Sequence, residues 1–299
     1  MYLGFDIGGT SVKYGIIDEN FNIIEKSSFE TDRNSAENVL NKICSIIFEM
    51  KDKYSFNYVG IGAPGFVDSE NGIVKGSSNT PFKNTQVVKY IEEKTGVKTL
   101  IGNDANCAAY GEYVAGRKKS KNFVVITLGT GVGGGIVIEK NLYIGSIGFA
   151  GEIGHIVLHH NGIPCSCGKK GCFEQYSSAT ALIRMTKDKI KSGSSLLSKE
   201  MADKIDEVDG RTVFNYEERG CSDAIEVLDE YGSYLADGIE SIYSLLQPDE
   251  IILAGGITNQ KEQLMKYVSK HLVSDVKVSV ATLTSDAGLI GAAILGYKA

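Results

Sequence analysis

The feature that most constrains the fold of this chain is a pattern that occurs twice. Met1 to Asp18, MYLGFDIGGTSVKYGIID, reads as an apolar strand (Tyr2 to Ile7), a Gly8-Gly9-Thr10 turn and a second run from Val12 to Ile17. Asn122 to Glu139, NFVVITLGTGVGGGIVIE, has the same parts, with Thr127-Leu128-Gly129-Thr130-Gly131 in place of Asp6-Ile7-Gly8-Gly9-Thr10. Two apolar runs joined by a glycine-rich tip form a β-hairpin. Its recurrence predicts an internally duplicated unit, one copy per domain.

The remaining periodicity supplies strands and helices in alternation. A third strand is expected at Asn22 to Ser28. Ser35 to Tyr54 has helical spacing, with Val39, Ile43, Ile46, Ile47 and Met50 on one face. Tyr58 to Ala63 and Val97 to Ile101 read as strands, Gln86 to Thr95 and Ala105 to Ala115 as helices. Further on, helices are predicted over Ser178 to Lys191, Leu196 to Asp209, Asn215 to Gln247, Lys261 to His271 and Leu289 to Leu295, and strands over Asp249 to Ala254 and Val276 to Ala281. This alternation is the mark of an α/β architecture. At 299 residues the chain has room for two such domains or one large one.

Charge and cysteine usage exclude other classes. A formal net charge of -6 argues against an electrostatic nucleic-acid footprint. No long apolar run and no basic-then-apolar leader is present, so no membrane span or secretory signal is expected. Cys44, Cys107 and Cys221 are scattered, which reads as reduced thiols in a cytoplasmic protein.

Chemistry concentrates in three places. First, glycine turns let backbone N–H groups approach phosphate oxygens, because no Cβ intervenes. Gly8-Gly9-Thr10, Gly129-Thr130-Gly131 and Gly255-Gly256 are such turns, Thr10 and Thr130 add hydroxyls, and Lys13 adds charge. Asp6 could hold Mg²⁺ through water. Neither a P-loop nor a Rossmann fingerprint follows the first strand. Second, Gly102-Asn103-Asp104 lies at a strand-to-helix junction. These residues are good N-caps, and Asp104 could also take a proton at the carboxyl end of a strand, where α/β ligands bind. Third, Gly151 to Glu174, GEIGHIVLHHNGIPCSCGKKGCFE, places His155 before Cys165, Cys167 and Cys172. One imidazole and three thiolates suit a closed tetrahedral, structural Zn²⁺ site. Buried apolar cysteines or a disulfide are the alternatives, and His159 or His160 could replace His155 as ligand.

These motifs, together with Gly151-Glu152-Ile153-Gly154-His155 and the knuckle Cys165-x-Cys167-Gly168-x-x-Gly171-Cys172-x-Glu174, resemble the ROK family of sugar kinases and repressors over essentially the whole chain. The resemblance implies a two-domain actin/hexokinase-like (ribonuclease H-like) fold with a zinc knuckle insertion, and phosphoryl transfer from ATP to a hexose hydroxyl in the cleft between the domains. It implies a first domain at 1–118, with the C-terminal helix (about 286–299) packed back on it, and a second at 119–285. Asp104 then matches the catalytic base. Gly65, Asn79, Asn103, Glu152, His155 and Glu174 match sugar contacts, with Asn79 the weaker candidate. Gly9, Thr10, Lys13, Thr130, Gly131 and Gly256 match nucleotide contacts, beside Asp6, Gly8 and Gly255. Glucose is the expected substrate, ahead of N-acetylmannosamine, N-acetylglucosamine or a β-glucoside, because Phe66 after Gly65 offers no polar handle for an acetamide. The family's repressors carry a DNA-binding segment before the first hairpin, which here starts at Met1, so a regulator role is not expected. A homodimer is expected, with a tetramer as the alternative.

Overall fold

The protein is described from a computed structural model covering residues 1–77, 80–116 and 120–297. The first sheet grows from the opening hairpin. β1 (Tyr2–Ile7) pairs antiparallel with β2 (Ser11–Ile17), which pairs with β3 (Ile23–Glu30). After α1 (Ala36–Lys53), β4 (Val59–Ala63) lies parallel to β1. A three-stranded meander follows: β5 (Phe66–Asp68), β6 (Ile73–Gly76) and β7 (Lys83–Gln86). Then come α2 (Val87–Thr95), β8 (Thr99–Asn103), parallel to β4, and α3 (Asp104–Val114). Alternation along β1 buries Leu3, Phe5 and Ile7. The expected stripe of α1, from Val39 to Met50, is buried against this sheet, and Ser35 caps the helix by accepting from Asn38 N–H.

The second sheet repeats the plan with β9 (Phe123–Leu128), β10 (Val132–Ile138), β11 (Asn141–Tyr143), β12 (Glu250–Ala254) and β13 (Val278–Val280). Between β11 and β12 lie the knuckle, α4 (Glu174–Ser177), α5 (Ala179–Ser192), α6 (Leu196–Met201), α7 (Thr212–Glu218) and α8 (Ser222–Leu246). β12 (Glu250–Ala254), α9 (Lys261–His271), β13 (Val278–Val280) and α10 (Ala287–Ala293) complete the chain. The strand orders are β3-β2-β1-β4-β8 and β11-β10-β9-β12-β13. In each, two strands run parallel beyond the central one. The duplicated hairpin thus heads two sheets of the same order.

Contacts group the chain into two units, Met1–Lys121 with Gly135–Gly151 and Ser285–Ala299, and Asn122–Gly134 with Glu152–Thr284. The expected division was 1–118 and 119–285; Gly135–Gly151 instead groups with the first unit. The reason is packing: Gly135 lies against Ala105 and Ala109, Gly148 against the Val67 carbonyl, and Phe149 against Phe66. α10 packs on α3, β1 and β4. The approach is so close that a Cβ at Gly291 would overlap the Cys107 carbonyl oxygen, and one at Gly60 that of Ala292.

Two local expectations are corrected. The stretch from Asn215 to Gln247 is two helices, α7 and α8, because Gly220 adopts φ +72° and ends the first. The polar segment after Leu196 is helical only to Met201 and continues as a 3₁₀ turn, Ala202–Glu207. α8 buries Val227, Leu228, Tyr231, Leu235, Ile239 and Ile242, a core role for its apolar stripe. Among the described residues, no helix is long and apolar enough to cross a membrane.

Candidate functional site

In the first unit the singled-out turns leave the carboxyl ends of three adjacent parallel strands. Gly8-Gly9-Thr10 follows β1, Pro64-Gly65 follows β4, and Asn103-Asp104 ends β8 and starts α3. Ligands of α/β sheets bind at such ends.

The Gly8–Thr10 turn is braced from behind. Thr31 Oγ1 donates to the Gly8 carbonyl (2.7 Å), Arg33 Nε to that of Gly9 (3.0 Å), and Thr31 N–H to that of Thr10 (3.0 Å). With every carbonyl of the turn engaged, the N–H groups of Gly9 and Thr10 have no acceptor among the described residues. Successive unengaged N–H groups make an anion-binding nest.

Asp6 stands opposite Lys13 across β1 and β2. Burial raises its carboxyl above the usual range, Lys13 opposes that shift, and Asp286 adds to it. Lys13 itself donates to the Ser285 carbonyl at 3.0 Å. Burial also raises the Cys107 thiol, and the carboxylates of Asp6 and Asp104 both add to that effect.

Asn103 does two things. Its Oδ1 caps α3 by accepting from Ala105 and Asn106 N–H (3.0 and 3.1 Å), and its Nδ2 donates to the Gly65 carbonyl at 3.1 Å. Gly65 has φ +85°, and a Cβ there would overlap the Gly76 carbonyl, so only glycine fits. Asp104 begins α3, with Oδ1 accepting from Ala105 N–H at 2.8 Å. The cap is thus Asn103, and Asp104 is the first residue of the helix. Asn79 lies outside the described residues.

In the second unit, the turns after β9 and β12 leave adjacent parallel strands. Gly255 (φ +107°) packs against the Leu128 carbonyl so closely that a Cβ would overlap it. Thr180 Oγ1 donates to the Thr130 carbonyl (2.8 Å) and Thr258 Oγ1 to that of Gly255 (2.7 Å). Gly129 and Gly256 face open space. A Cβ on Gly131 would come 2.6 Å from Glu174 Oε2, which ties the glycine turn to the carboxylates beyond it.

Those carboxylates flank His155. Glu152 Oε2 lies 3.9 Å from Nε2 and Glu174 Oε1 3.9 Å from Nδ1. Lost hydration raises the Glu152 carboxyl, His155 opposes the shift, and Glu174 adds to it. The Nδ1 side of the ring meets the thiols: Cys165 Sγ is 3.6 Å from Nδ1 and 3.0 Å from Glu174 Oε1. Cys167 Sγ and Cys172 Sγ are 3.6 Å apart, far beyond a disulfide bond of about 2.05 Å. The four donor atoms of His155, Cys165, Cys167 and Cys172 lie within 4.8 Å of one another. A tetrahedral zinc ion with metal–sulfur bonds of about 2.3 Å needs sulfurs about 3.8 Å apart, so this set fits it. Gly168 (φ +89°) and Gly171 (φ +80°) turn the loop inward. The substitutes considered for His155 are excluded at His159, whose ring packs on Tyr176 and Tyr234, and the ligand cluster does not include His160.

Sequence reasoning missed Thr31 and Arg33. They sit more than twenty residues from the turn they brace, and no local spacing connects them to it.

Residues 2–299 match the sequence profile of the ROK family. A glucokinase of Thermotoga maritima is 33% identical over 302 residues, covering 97% of this chain and 95% of its own length. An N-acetyl-D-glucosamine kinase of Histophilus somni is 30% identical, covering 99% of this chain and 98% of its own. A solved ROK family glucokinase from Streptomyces griseus, in complex with glucose and AMPPNP, superposes with a TM-score of 0.86 at 31% identity, covering 98% of each chain. The profile match spans all but the first residue, and the paired sheets and the His–Cys₃ cluster agree with it: the chain belongs to the ROK family.

Proposed function

We propose that this protein is an ATP-dependent hexose kinase that phosphorylates glucose on its C6 hydroxyl, with Asp104 as the general base. The observation that carries the reading is the gathering of the Gly8–Thr10 nest, the Asn103–Gly65 bond and Asp104 at the carboxyl ends of β1, β4 and β8. The relatives named glucokinase, one of them solved with glucose and AMPPNP, support the donor and the acceptor class.

Phosphoryl transfer needs alignment and charge neutralisation more than covalent help from the protein. The N–H groups of Gly9 and Thr10 receive phosphate oxygens, as do the turns at Thr130–Gly131 and Gly255–Gly256. Asp6 would hold magnesium through water, and the ion would neutralise phosphate charge. Asp104 accepts the proton of the attacking hydroxyl. Asn103 fixes Gly65, whose backbone closes over the sugar. Glu152, His155 and Glu174 accept and donate hydrogen bonds to sugar hydroxyls. A zinc ion on His155, Cys165, Cys167 and Cys172 would be structural, because four protein ligands leave no open position. Such an ion would help to hold the His155 ring, whose Nε2 lies 3.9 Å from Glu152 Oε2.

A second reading, an N-acetylglucosamine kinase, is favoured by the Histophilus somni relative. Against it stands Phe66, half exposed after Gly65 and paired with Phe149, which offers no hydrogen bond to an acetamide. Comparing kcat/KM for glucose, N-acetylglucosamine and N-acetylmannosamine decides between them. Glucose is expected to lead by at least about tenfold; a lead for either amino sugar would replace the substrate while keeping the kinase.

A further inference from the structure

The nest at Gly9 and Thr10 has a cation that the turn motif does not include. Lys13, the obvious charge in the motif, is turned to the Ser285 carbonyl. Arg33, exposed in the loop after β3, instead reaches the turn. Its Nε donates to the Gly9 carbonyl at 3.0 Å, and its Nη2 lies 3.4 Å from Thr10 Oγ1. The adjacent acid is occupied elsewhere, since Asp32 accepts from Asn34 N–H (2.9 Å) and Asn38 Nδ2 (2.7 Å). No carboxylate among the described residues pairs with Arg33. A guanidinium has five donors and stays charged throughout the working pH range. Here one edge is spent on fixing it to the turn, and among the described residues the outer Nη groups have no protein acceptor beyond Thr10.

We infer that Arg33 is a phosphate-binding residue of this site, held against the Gly9 carbonyl so that its outer N–H groups meet terminal phosphate oxygens of the nucleotide lying on the Gly9 and Thr10 amides. The inference rests on the kinase reading for the identity of the anion. Two backbone N–H groups and one guanidinium on the same turn make a charge-assisted cradle, stronger than the amides alone. Thr31 is the other half of the brace and carries no charge, so it separates bracing from binding.

The test uses the full chain with R33A, R33K and T31V, each checked for folding by its thermal transition. In R33A the KM for ATP should rise about tenfold or more while the KM for sugar stays within about twofold. Calorimetry should show weaker binding of MgATP and ADP but unchanged binding of adenosine, which has no phosphate. R33K should recover part of the loss, and millimolar guanidinium should partly restore R33A. T31V, which loosens the same turn without removing a charge, should weaken MgATP less than R33A does, leave adenosine unchanged and show no response to guanidinium. If R33A binds MgATP as tightly as wild type, the inference is overturned and the kinase reading stands. If R33A and T31V behave alike and guanidinium restores nothing, Arg33 is a brace only, and the inference is again overturned. If wild type turns over no sugar but binds MgATP through Arg33, the kinase reading fails and the phosphate role stands.

Discussion

Glu152 shows how a residue proposed to bind substrate can cost the fold something. Its carboxyl is raised by lost hydration, with Glu174 adding to the shift and His155 opposing it. The folded chain therefore holds that proton more tightly than the unfolded chain. Stability falls as pH rises from the unfolded value of 4.5 through the raised one, and the deficit persists above it. E152Q should therefore melt at a higher temperature than wild type at neutral pH, with the gap closing as pH falls below the unfolded value, while its KM for sugar rises. A thermal series from acid to neutral pH checks the first part and steady-state kinetics the second; a lower melting temperature at neutral pH would contradict it. At Gly131 the constraint is steric. A Cβ there would stand 2.6 Å from Glu174 Oε2, so G131A must displace that carboxylate. The expected result is a rise in sugar KM of about tenfold, equivalent to about 1.4 kcal/mol, measured with saturating ATP. Residue types and spacing made the cluster of His155, Cys165, Cys167 and Cys172 readable in advance. Arg33 was not, because its link to Gly9 exists only once β3 is paired with β2.

At the scale of elements, helix packing and the knuckle make separate predictions. α3 and α10 touch backbone to backbone, and G291A would drive a methyl into the Cys107 carbonyl. Destabilisation by about 1–3 kcal/mol is expected for such overpacking, read by denaturant titration. The knuckle is held by two isolated bridges, Val157 with Cys172 and Pro164 with Lys170, and by backbone hydrogen bonds such as Cys165 N–H to the Lys169 carbonyl (2.9 Å) and Gly171 N–H to the Ile163 carbonyl (2.8 Å). A bound metal would add to that order through the four ligands. Burial, first, and the neighbouring thiols push the Cys172 thiol up to about 12, so a metal has to displace that proton and binds more tightly as pH rises. Zinc analysis should find one ion per chain. C167S or chelation should release it and weaken sugar binding more than ATP binding; equal sugar affinity after zinc loss would make the knuckle a staple alone. Long periodic elements such as α1 and α8 were legible from their apolar stripes. The β5–β7 meander was not. Its strands have only three or four residues, and Lys83–Gln86 reads KNTQ, which has no apolar alternation to detect.

The whole molecule is two copies of one plan, differing in what is inserted. Each sheet is led by a hairpin with a glycine turn at its tip, and each places further turns at the carboxyl ends of parallel strands. The repeat of Asp6–Thr10 in Thr127–Gly131 made this legible, because a glycine turn between two apolar runs has few folded outcomes. The unit boundaries were not legible, since Gly135–Gly151 joins the first unit through contacts with residues far away in sequence. The proposed function rests on Asp104, the first residue of α3 after β8. The most direct measurement is sugar-dependent ATP consumption by wild type and D104N, with MgATP and glucose affinities measured on both. The account predicts that D104N loses about 10²–10⁴-fold in kcat and binds both substrates nearly as well as wild type. Turnover in D104N close to that of wild type, or no hexose-dependent turnover in wild type, would contradict it.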